Sequence, residues 1–250
     1  MQAVAVVFAG GVGSRMRDGD DTPKQFRSVG GLPVICHSLV HFEDNDNIDA
    51  IQVVCLSGWE DRLRQMARDA GITKLADVIP GGATAQESTI KGLAAAADRY
   101  PPDTLAVIHD GVRPIITGAL IDELIATALR DGSAVTVRPV AETPILSRDG
   151  RRIDQTFDRS RAWVVQAPQV FRLGDVVDAY DRMRQINPQF TDVVDTATLM
   201  VRLGHQVSIV EGPDANIKIT HAADLDFFRG WLAAHPCADR VPMDARGELN

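Results

Sequence analysis

Two hydrophobic periods alternate along this chain. Short runs of β-branched and apolar residues predict buried strands, and longer stretches with apolar residues three or four apart predict helices. Ala3 to Phe8 is an unbroken apolar run, Pro33 to Phe42 has helical spacing, and Ile48 to Leu56 is again strand-like. Ser57 to Ala70 predicts a helix with Ser57 as N-cap and Glu60 at the capping-box position. Asp77 to Ile79 predicts a strand, Thr84 to Asp98 a helix, Leu105 to Ile108 a strand, Gly118 to Leu129 a helix and Ala134 to Val137 a strand. Such alternation with short connections predicts an α/β fold: a Rossmann-like, three-layer αβα sandwich around a mostly parallel sheet.

The pattern changes after Val137. Val140 to Leu146 and Arg152 to Phe157 are extended stretches of mixed polarity, joined through Asp149-Gly150. This predicts a β-hairpin that protrudes as an arm at about residues 140–158. It is too polar to bury both faces in one subunit, and it suits packing on a second one. Ala162 to Val165 predicts the next strand. Helices follow near Gly174 to Gln185 and Asp192 to Leu203, the second with Thr191 as a possible N-cap, then a strand from His205 to Val210 and a helix from His221 to Ala234. The reading is one domain over residues 1–235, arm included, and a mobile tail over 236–250.

Composition narrows the function classes. The 250 residues carry 34 acidic and 26 basic side chains, a net charge of −8, which disfavours nucleic-acid binding. Any anionic ligand must meet local positive charge. No apolar run approaches the ~20 residues needed to span a bilayer, and no signal peptide opens the chain, so no membrane role is expected. Cys36, Cys55 and Cys237 are an odd number at unrelated spacings, which suits reduced thiols in a cytoplasmic protein.

Chemistry concentrates at predicted strand ends, where open α/β sheets bind ligands. The first strand runs into Ala9-Gly10-Gly11-Val12-Gly13-Ser14-Arg15-Met16, followed by Pro23-Lys24-Gln25-Phe26. Glycines allow backbone N–H groups to approach an anion, and Arg15 and Lys24 add positive charge, which suits a nucleotide triphosphate. The loop lacks the Gly-Lys-Ser/Thr of a Walker motif and the third glycine of a dinucleotide fingerprint. A Gly-rich surface turn is the plainer reading. Further clusters are Gly81-Gly82 with Ser88, then His109-Asp110-Gly111-Val112-Arg113-Pro114, then Asn216-Ile217-Lys218-Ile219-Thr220. Asp110 at a strand end beside a phosphate loop can hold Mg²⁺. His109 reads as structural, and Arg113 as a tie between its loop and a carboxylate. Lys218, in a short extended segment, would ordinarily face solvent.

In this order, together with Gln166-Ala167-Pro168-Gln169, these motifs resemble the CTP-dependent polyol-phosphate cytidylyltransferases. That family has an isoprenoid branch acting on 2-C-methyl-D-erythritol 4-phosphate and a branch acting on ribitol 5-phosphate. The resemblance implies that Ala9, Gly10, Gly11, Gly13, Ser14 and Gly111 line the CTP site and that Gly82 and Ser88 bind its cytosine and ribose side. It implies Mg²⁺ on Asp110, and Arg15, Lys24 and Lys218 as catalytic residues around the α-phosphate. It also implies a homodimer joined by the arm, with Thr143 and Arg159 reaching the polyol phosphate of the neighbouring subunit.

Two positions depart from the family pattern: Ala85 replaces a usual arginine, and Ala167 replaces a threonine. They bear on CTP affinity and on the polyol. The Ala9-Gly10-Gly11 spelling and Trp59 look more like the ribitol branch, while Thr156 to Arg159 looks more like the isoprenoid branch. The lean is to ribitol 5-phosphate. A nucleotidyltransferase for another sugar phosphate would share the loop but not readily explain Asn216 to Thr220. A regulatory nucleotide binder would not need Arg15, Lys24, Asp110 and Lys218 together.

Overall fold

The computed structural model describes residues 3–11 and 22–235. The expected tail, residues 236–250, lies outside the described residues. A central sheet is built from β1 (Ala3–Ala9), β4 (Ala50–Cys55), β5 (Leu75–Pro80), β6 (Leu105–Asp110), β7 (Ser133–Pro139), β10 (Trp163–Arg172) and β11 (Ser208–Glu211). Two small hairpins, β2 (Ser28–Val29) with β3 (Leu32–Pro33) and β8 (Ile145–Leu146) with β9 (Gln155–Thr156), stand apart from it. The helices are α1 (Val34–Glu43), α2 (Glu60–Asp69), α3 (Ala85–Ala97), α4 (Gly118–Asp131), α5 (Leu173–Ile186), α6 (Thr196–Arg202) and α7 (Ala222–Ala234).

The strand order is β11-β7-β10-β6-β1-β4-β5, and every strand except β10 runs the same way. β1 shows why the sheet is covered on both faces. Ala5 and Val7 enter one apolar core with residues of α1, α2 and α4, whereas Val4 and Val6 enter another with residues of α3 and α5. Successive side chains on a strand point to opposite faces, so an unbroken apolar run is buried twice over. Each fully buried valine or leucine contributes roughly 1.5–3 kcal/mol. A third, smaller core joins Val29, Val34, Val112, Ile115, Ile219, Leu225 and Phe228. It lies under the loops at the carboxyl edge of the sheet and fixes their spacing.

Several local expectations are corrected. Ser57 does not cap α2: that helix starts at Glu60 after a turn in which Gly58 has φ +84° and the Trp59 N–H donates to the Leu56 carbonyl. Thr191 does not cap α6. Phe190 and Asp192 both have positive φ, the chain is still turning there, and Asp195 caps the helix by accepting from the Thr198 N–H. The strand predicted at Ala162 to Val165 extends to Arg172, with a register shift between Val165 and Gln169 and a cis peptide bond at Ala167–Pro168. The extended segment at Asn216 to Thr220 joins no sheet ladder. The arm has a shorter ladder than its sequence suggests, with Ile145 opposite Thr156 and Leu146 opposite Gln155.

Candidate functional site

Pairing of β1 with β6 sets Phe8 beside Asp110, so the Gly-rich loop and the acidic loop emerge side by side. The Gly111 N–H donates to the Phe8 carbonyl at 2.9 Å, and a Cβ on Gly111 would lie 3.2 Å from that oxygen. This close approach favours glycine there. On the other side, β4 and β5 bring Gly81 and Gly82 up to the same loop. A Cβ on Gly10 would meet Ser88 Oγ at 3.7 Å, and one on Gly81 would meet it at 3.1 Å. Thr84 caps α3 by accepting from the Glu87 N–H, which sets Ser88 one turn inside. The Ser88 hydroxyl accepts from the Gly82 N–H at 3.0 Å and donates to the Thr84 carbonyl at 2.9 Å. A Cβ at Gly82 would fall 2.3 Å from Glu87 Cβ, so only glycine fits. Ala9, Gly10, Gly11, Gly82, Ser88, Asp110 and Gly111 are therefore gathered at one edge. Gly13, Ser14 and Arg15 lie outside the described residues.

Asp110 is the centre of charge. Its Oδ2 accepts from Arg113 Nε at 2.9 Å, and its Oδ1 accepts from Lys218 Nζ at 2.8 Å. Arg113 also donates to the Asn216 carbonyl at 2.9 Å, which ties the acidic loop to the segment carrying Lys218. Arg113 is thus the tie its sequence position suggested. Lys218 is only half solvent-facing, with a side chain 45% exposed, and is paired with Asp110 rather than projecting freely into solvent. Burial pushes the Asp110 carboxyl up, but the Lys218 and Arg113 charges and hydrogen bonds outweigh it and hold the group well below the usual carboxylate range. A carboxylate so depressed contributes its ion-pair stability in full above its unfolded value near pH 4 and loses it only as pH falls further. Asp110 is ionised throughout neutral conditions.

Lys24 is buried in a 3-10 turn (Lys24–Phe26) and donates from Nζ to the Ile219 carbonyl at 2.7 Å. The Ile219 N–H donates to the Val112 carbonyl. Lys24 and Lys218 are thereby brought together through one short segment. His109 is buried edge-on against Phe42, with Nε2 3.1 Å from the Arg113 carbonyl and Nδ1 unpartnered. Burial pushes its imidazole down to about 3, so the ring is neutral near pH 7.

Thr143 and Arg159 are not brought to this cluster. Both are exposed at the neck of the arm, where Arg159 donates to the Ala141 carbonyl at 3.1 Å. Ala85 opens α3 on the surface, and Ala167 is buried, its carbonyl accepting from Asn216 Nδ2 at 2.8 Å.

Gln25 is the contact that sequence reasoning missed. Its Nε2 donates to the Ala9 carbonyl at 2.8 Å and the Gly11 carbonyl at 2.9 Å, so one buried amide grips both sides of Gly10. The next residue, Phe26, stacks on Trp59 at 4.4 Å, and the Arg62 guanidinium lies over the same Trp59 ring system at 4.4 Å. Three successive side chains of one turn thus hold three separate segments: Lys24 the Ile219 segment, Gln25 the Gly-rich loop and Phe26 the start of α2.

As for metal, no group of three or more His, Cys, Asp or Glu that could hold an ion occurs among the described residues. A single ionised carboxylate still fits Mg²⁺, which binds through one or two carboxylates together with substrate phosphates and water. Each Asp110 oxygen keeps a lone pair beyond its present hydrogen bond. No helix among the described residues is long and apolar enough to cross a membrane.

Comparison with known proteins identifies the family. The family model described as IspD, 2-C-methyl-D-erythritol 4-phosphate cytidylyltransferase, matches residues 3–232. A ribitol-5-phosphate cytidylyltransferase of Streptococcus agalactiae serotype V is 40% identical over 229 residues, covering 92% of this chain and 94% of that one. A 2-C-methyl-D-erythritol 4-phosphate cytidylyltransferase of Bacillus velezensis is 39% identical over 235 residues, covering 94% and 97%. The crystal structure of the 2-C-methyl-D-erythritol 4-phosphate cytidylyltransferase from Thermus thermophilus superimposes with a TM-score of 0.73 at 27% identity, covering 93% of this chain and all of that one. A loop cluster of this kind, on a chain matched over nearly its whole length, makes the protein a nucleotidyltransferase belonging to the IspD family of cytidylyltransferases.

Proposed function

We propose that the protein transfers CMP from CTP to a polyol phosphate and releases pyrophosphate, with ribitol 5-phosphate as the polyol phosphate. The observation that carries this reading is the Asp110–Arg113–Lys218 cluster set beside the Gly-rich loop by the β1–β6 register. A phosphate oxygen of the polyol phosphate attacks the α-phosphorus of CTP in line. The bond from that phosphorus to the bridging oxygen breaks, and pyrophosphate leaves with the electron pair. A phosphate monoester dianion is already a nucleophile, so no strong base is needed. The barrier is the approach of anion to anion, and positioning with charge neutralisation lowers it. A buried, neutral His109 is in keeping with this chemistry.

Backbone N–H groups of the loop from Ala9 to Ser14 receive the CTP phosphates, and Gly82 and Ser88 shape the cytosine and ribose side. Arg15, Lys24 and Lys218 neutralise the α-phosphate. Lys218 is suited to this because a half-exposed ion pair is worth only about 0–1 kcal/mol and is readily exchanged for phosphate. Arg113 keeps Asp110 in place as this happens. Asp110 would hold Mg²⁺, which when bound supplies charge stabilisation to the triphosphate. Asp110→Asn is expected to raise the Mg²⁺ concentration for half-maximal activity about tenfold, since a neutral amide is a weaker ligand. An unchanged metal titration would remove Asp110 from the ligand role.

The arm and the start of β10 expose Ile145, Leu146, Ile153, Phe157, Trp163 and Val164. This much apolar surface at one place supports a homodimer, with Thr143 and Arg159 serving the partner's site. Light scattering should give twice the chain mass; a fully active monomer would contradict the shared site. Cys36 and Cys55 are free, buried thiols, both pushed up to about 12 chiefly by burial, which suits a protein of the cytoplasm.

The deciding experiment is pyrophosphate release with CTP and each polyol phosphate in turn. Preference for 2-C-methyl-D-erythritol 4-phosphate is the second reading, favoured by the arm segment Thr156 to Arg159. Release with neither would refute the reaction.

A further inference from the structure

The segment that carries Lys218 joins no sheet ladder, yet its ammonium is paired with Asp110 at 2.8 Å. Ties other than strand pairing must set its backbone. After Lys218 they are the Ile219 N–H on the Val112 carbonyl, Lys24 on the Ile219 carbonyl, and the Thr220 N–H on Asp224 Oδ2 at 2.7 Å. Before Lys218 the anchor is Asn216, which is fully buried. Its carbonyl accepts from Arg113 Nη1 at 2.9 Å and from Gln166 Nε2 at 3.0 Å, so both lone pairs are used. Its Nδ2 donates to the Ala167 carbonyl at 2.8 Å.

The two donors on that carbonyl are not equivalent. Arg113 also holds Asp110, and Asp110 holds Lys218, so Arg113 belongs to a ring of the groups to be positioned. Gln166 comes from β10, outside that ring. Between Val165 and Gln169 the register on β7 shifts, and Gln166, Ala167 and Pro168 stand against Thr136 alone. Such a bulge re-aims side chains, often beside active sites. Here it sets the buried Gln166 amide on Asn216. The bulge is itself held. Thr136 Oγ1 donates to the Pro168 carbonyl at 2.7 Å, and Gln169 Nε2 to the Gln166 carbonyl at 3.3 Å. Gly212 lets its chain pass close by: a Cβ there would fall 2.4 Å from Thr136 Cγ2 and 3.4 Å from Gln166 Oε1.

We propose that Gln166 is a positioning residue for Lys218, acting through the Asn216 carbonyl. The proposal rests on the reading above that Lys218 leaves Asp110 for the α-phosphate. During that exchange the Lys218–Asp110 bond no longer fixes the segment, and Arg113 stays engaged with Asp110. Gln166 bonds to neither charge. It keeps the Asn216 backbone in place while the ammonium two residues on, about 7 Å along the chain, changes partner. Precise placement matters because a shift of about 1 Å in a catalytic group can cost up to about 10²-fold in rate.

The test uses full chains of wild type, Gln166→Met, Gln166→Glu, Lys218→Ala and the Gln166→Met, Lys218→Ala double variant. Gln166→Met fills the same space without the donor. It is expected to lower kcat roughly tenfold and to leave both KM values within about twofold. Its Tm should change little, since the Asn216 carbonyl keeps Arg113. Gln166→Glu should show the same deficit near about pH 8 and lose part of it toward about pH 6, as the buried carboxyl takes up a proton and becomes a donor again. In the Lys218→Ala background Gln166→Met should have no further effect on kcat, because it acts only through Lys218. A kcat equal to that of wild type in Gln166→Met, a Gln166→Glu deficit independent of pH, or losses that multiply in the double variant would each overturn the proposal. A readout independent of turnover is acylation by acetic anhydride, followed by mass spectrometry. Lys218 should react severalfold faster in Gln166→Met than in wild type, because a looser pair exposes the amine, while Lys74 is unchanged. That result supports the positioning role even if neither polyol phosphate reacts with CTP, in which case the reaction reading alone fails. Equal acylation of Lys218 in both proteins overturns the role of Gln166.

Discussion

Replacing Lys218 by alanine is expected to lower kcat by roughly 10³, about 4 kcal/mol of transition-state stabilisation, with a change in Tm of no more than a degree or two. The two effects separate because Asp110 has two cationic partners of different kinds. Arg113 is the buried one, with a side chain 11% exposed, and it also braces the Asn216 carbonyl. Removing Lys218 leaves that arrangement standing and removes only the partner that can turn to a substrate phosphate. Lys218→Arg should recover part of the rate, because the charge returns in a different shape. Pyrophosphate release and thermal melting on the same samples check this. Loss of rate in step with loss of melting temperature would make Lys218 a structural residue.

Arg15→Ala should cost a similar factor, roughly 10³ in kcat or about 4 kcal/mol. Arg15 lies outside the described residues, so the expectation rests on sequence order and on the loop's anchorage. The described part of the loop is gripped by Gln25 at Ala9 and Gly11, and Arg15 follows Gly11 by four residues. A guanidinium there would meet charge that moves from the α-phosphate to the departing pyrophosphate, so its loss should fall on kcat more than on KM for CTP. Arg15→Lys should be intermediate. Turnover near that of wild type in the alanine variant would remove Arg15 from catalysis.

The strands at the centre of the sheet were legible because they are buried on both faces and so are almost wholly apolar, Gln52 of β4 being an exception. The same logic hid β10. Gln166, Pro168 and Gln169 interrupt its apolar pattern, yet the glutamines are satisfied locally. Gln166 donates to the Asn216 carbonyl at 3.0 Å, and Gln169 Oε1 accepts from the Ala197 N–H at 3.1 Å. A strand that buries polar groups against later segments cannot be recognised from its own composition. The site loops were legible as strand ends, with glycines and charges where ligands meet such sheets. Their pairing was not: Asp110 with Lys218 spans 108 positions, and Lys24 with Ile219 spans 195. Gln25 stood within the Pro23 to Phe26 stretch, but its contact left no signal of its own, because a grip on backbone carbonyls demands nothing of the residues gripped.

The reversed direction of β10 has a consequence for how such an enzyme can change. Since β10 runs against β7, the segment from Val140 to Ala162 leaves and re-enters the sheet at the same edge, where Pro139 faces Trp163. Residues can be added or removed there without moving the register of any strand. Doubling the length of such a loop costs only about 0.6 kcal/mol in closure entropy. On the proposed reading, in which the arm meets the acceptor, the acceptor end can therefore diversify while the rest of the sheet stays fixed. If the arm sets acceptor preference as proposed, new preferences can evolve by editing a single excursion of the chain, with the sheet and its Gly-rich loop inherited intact.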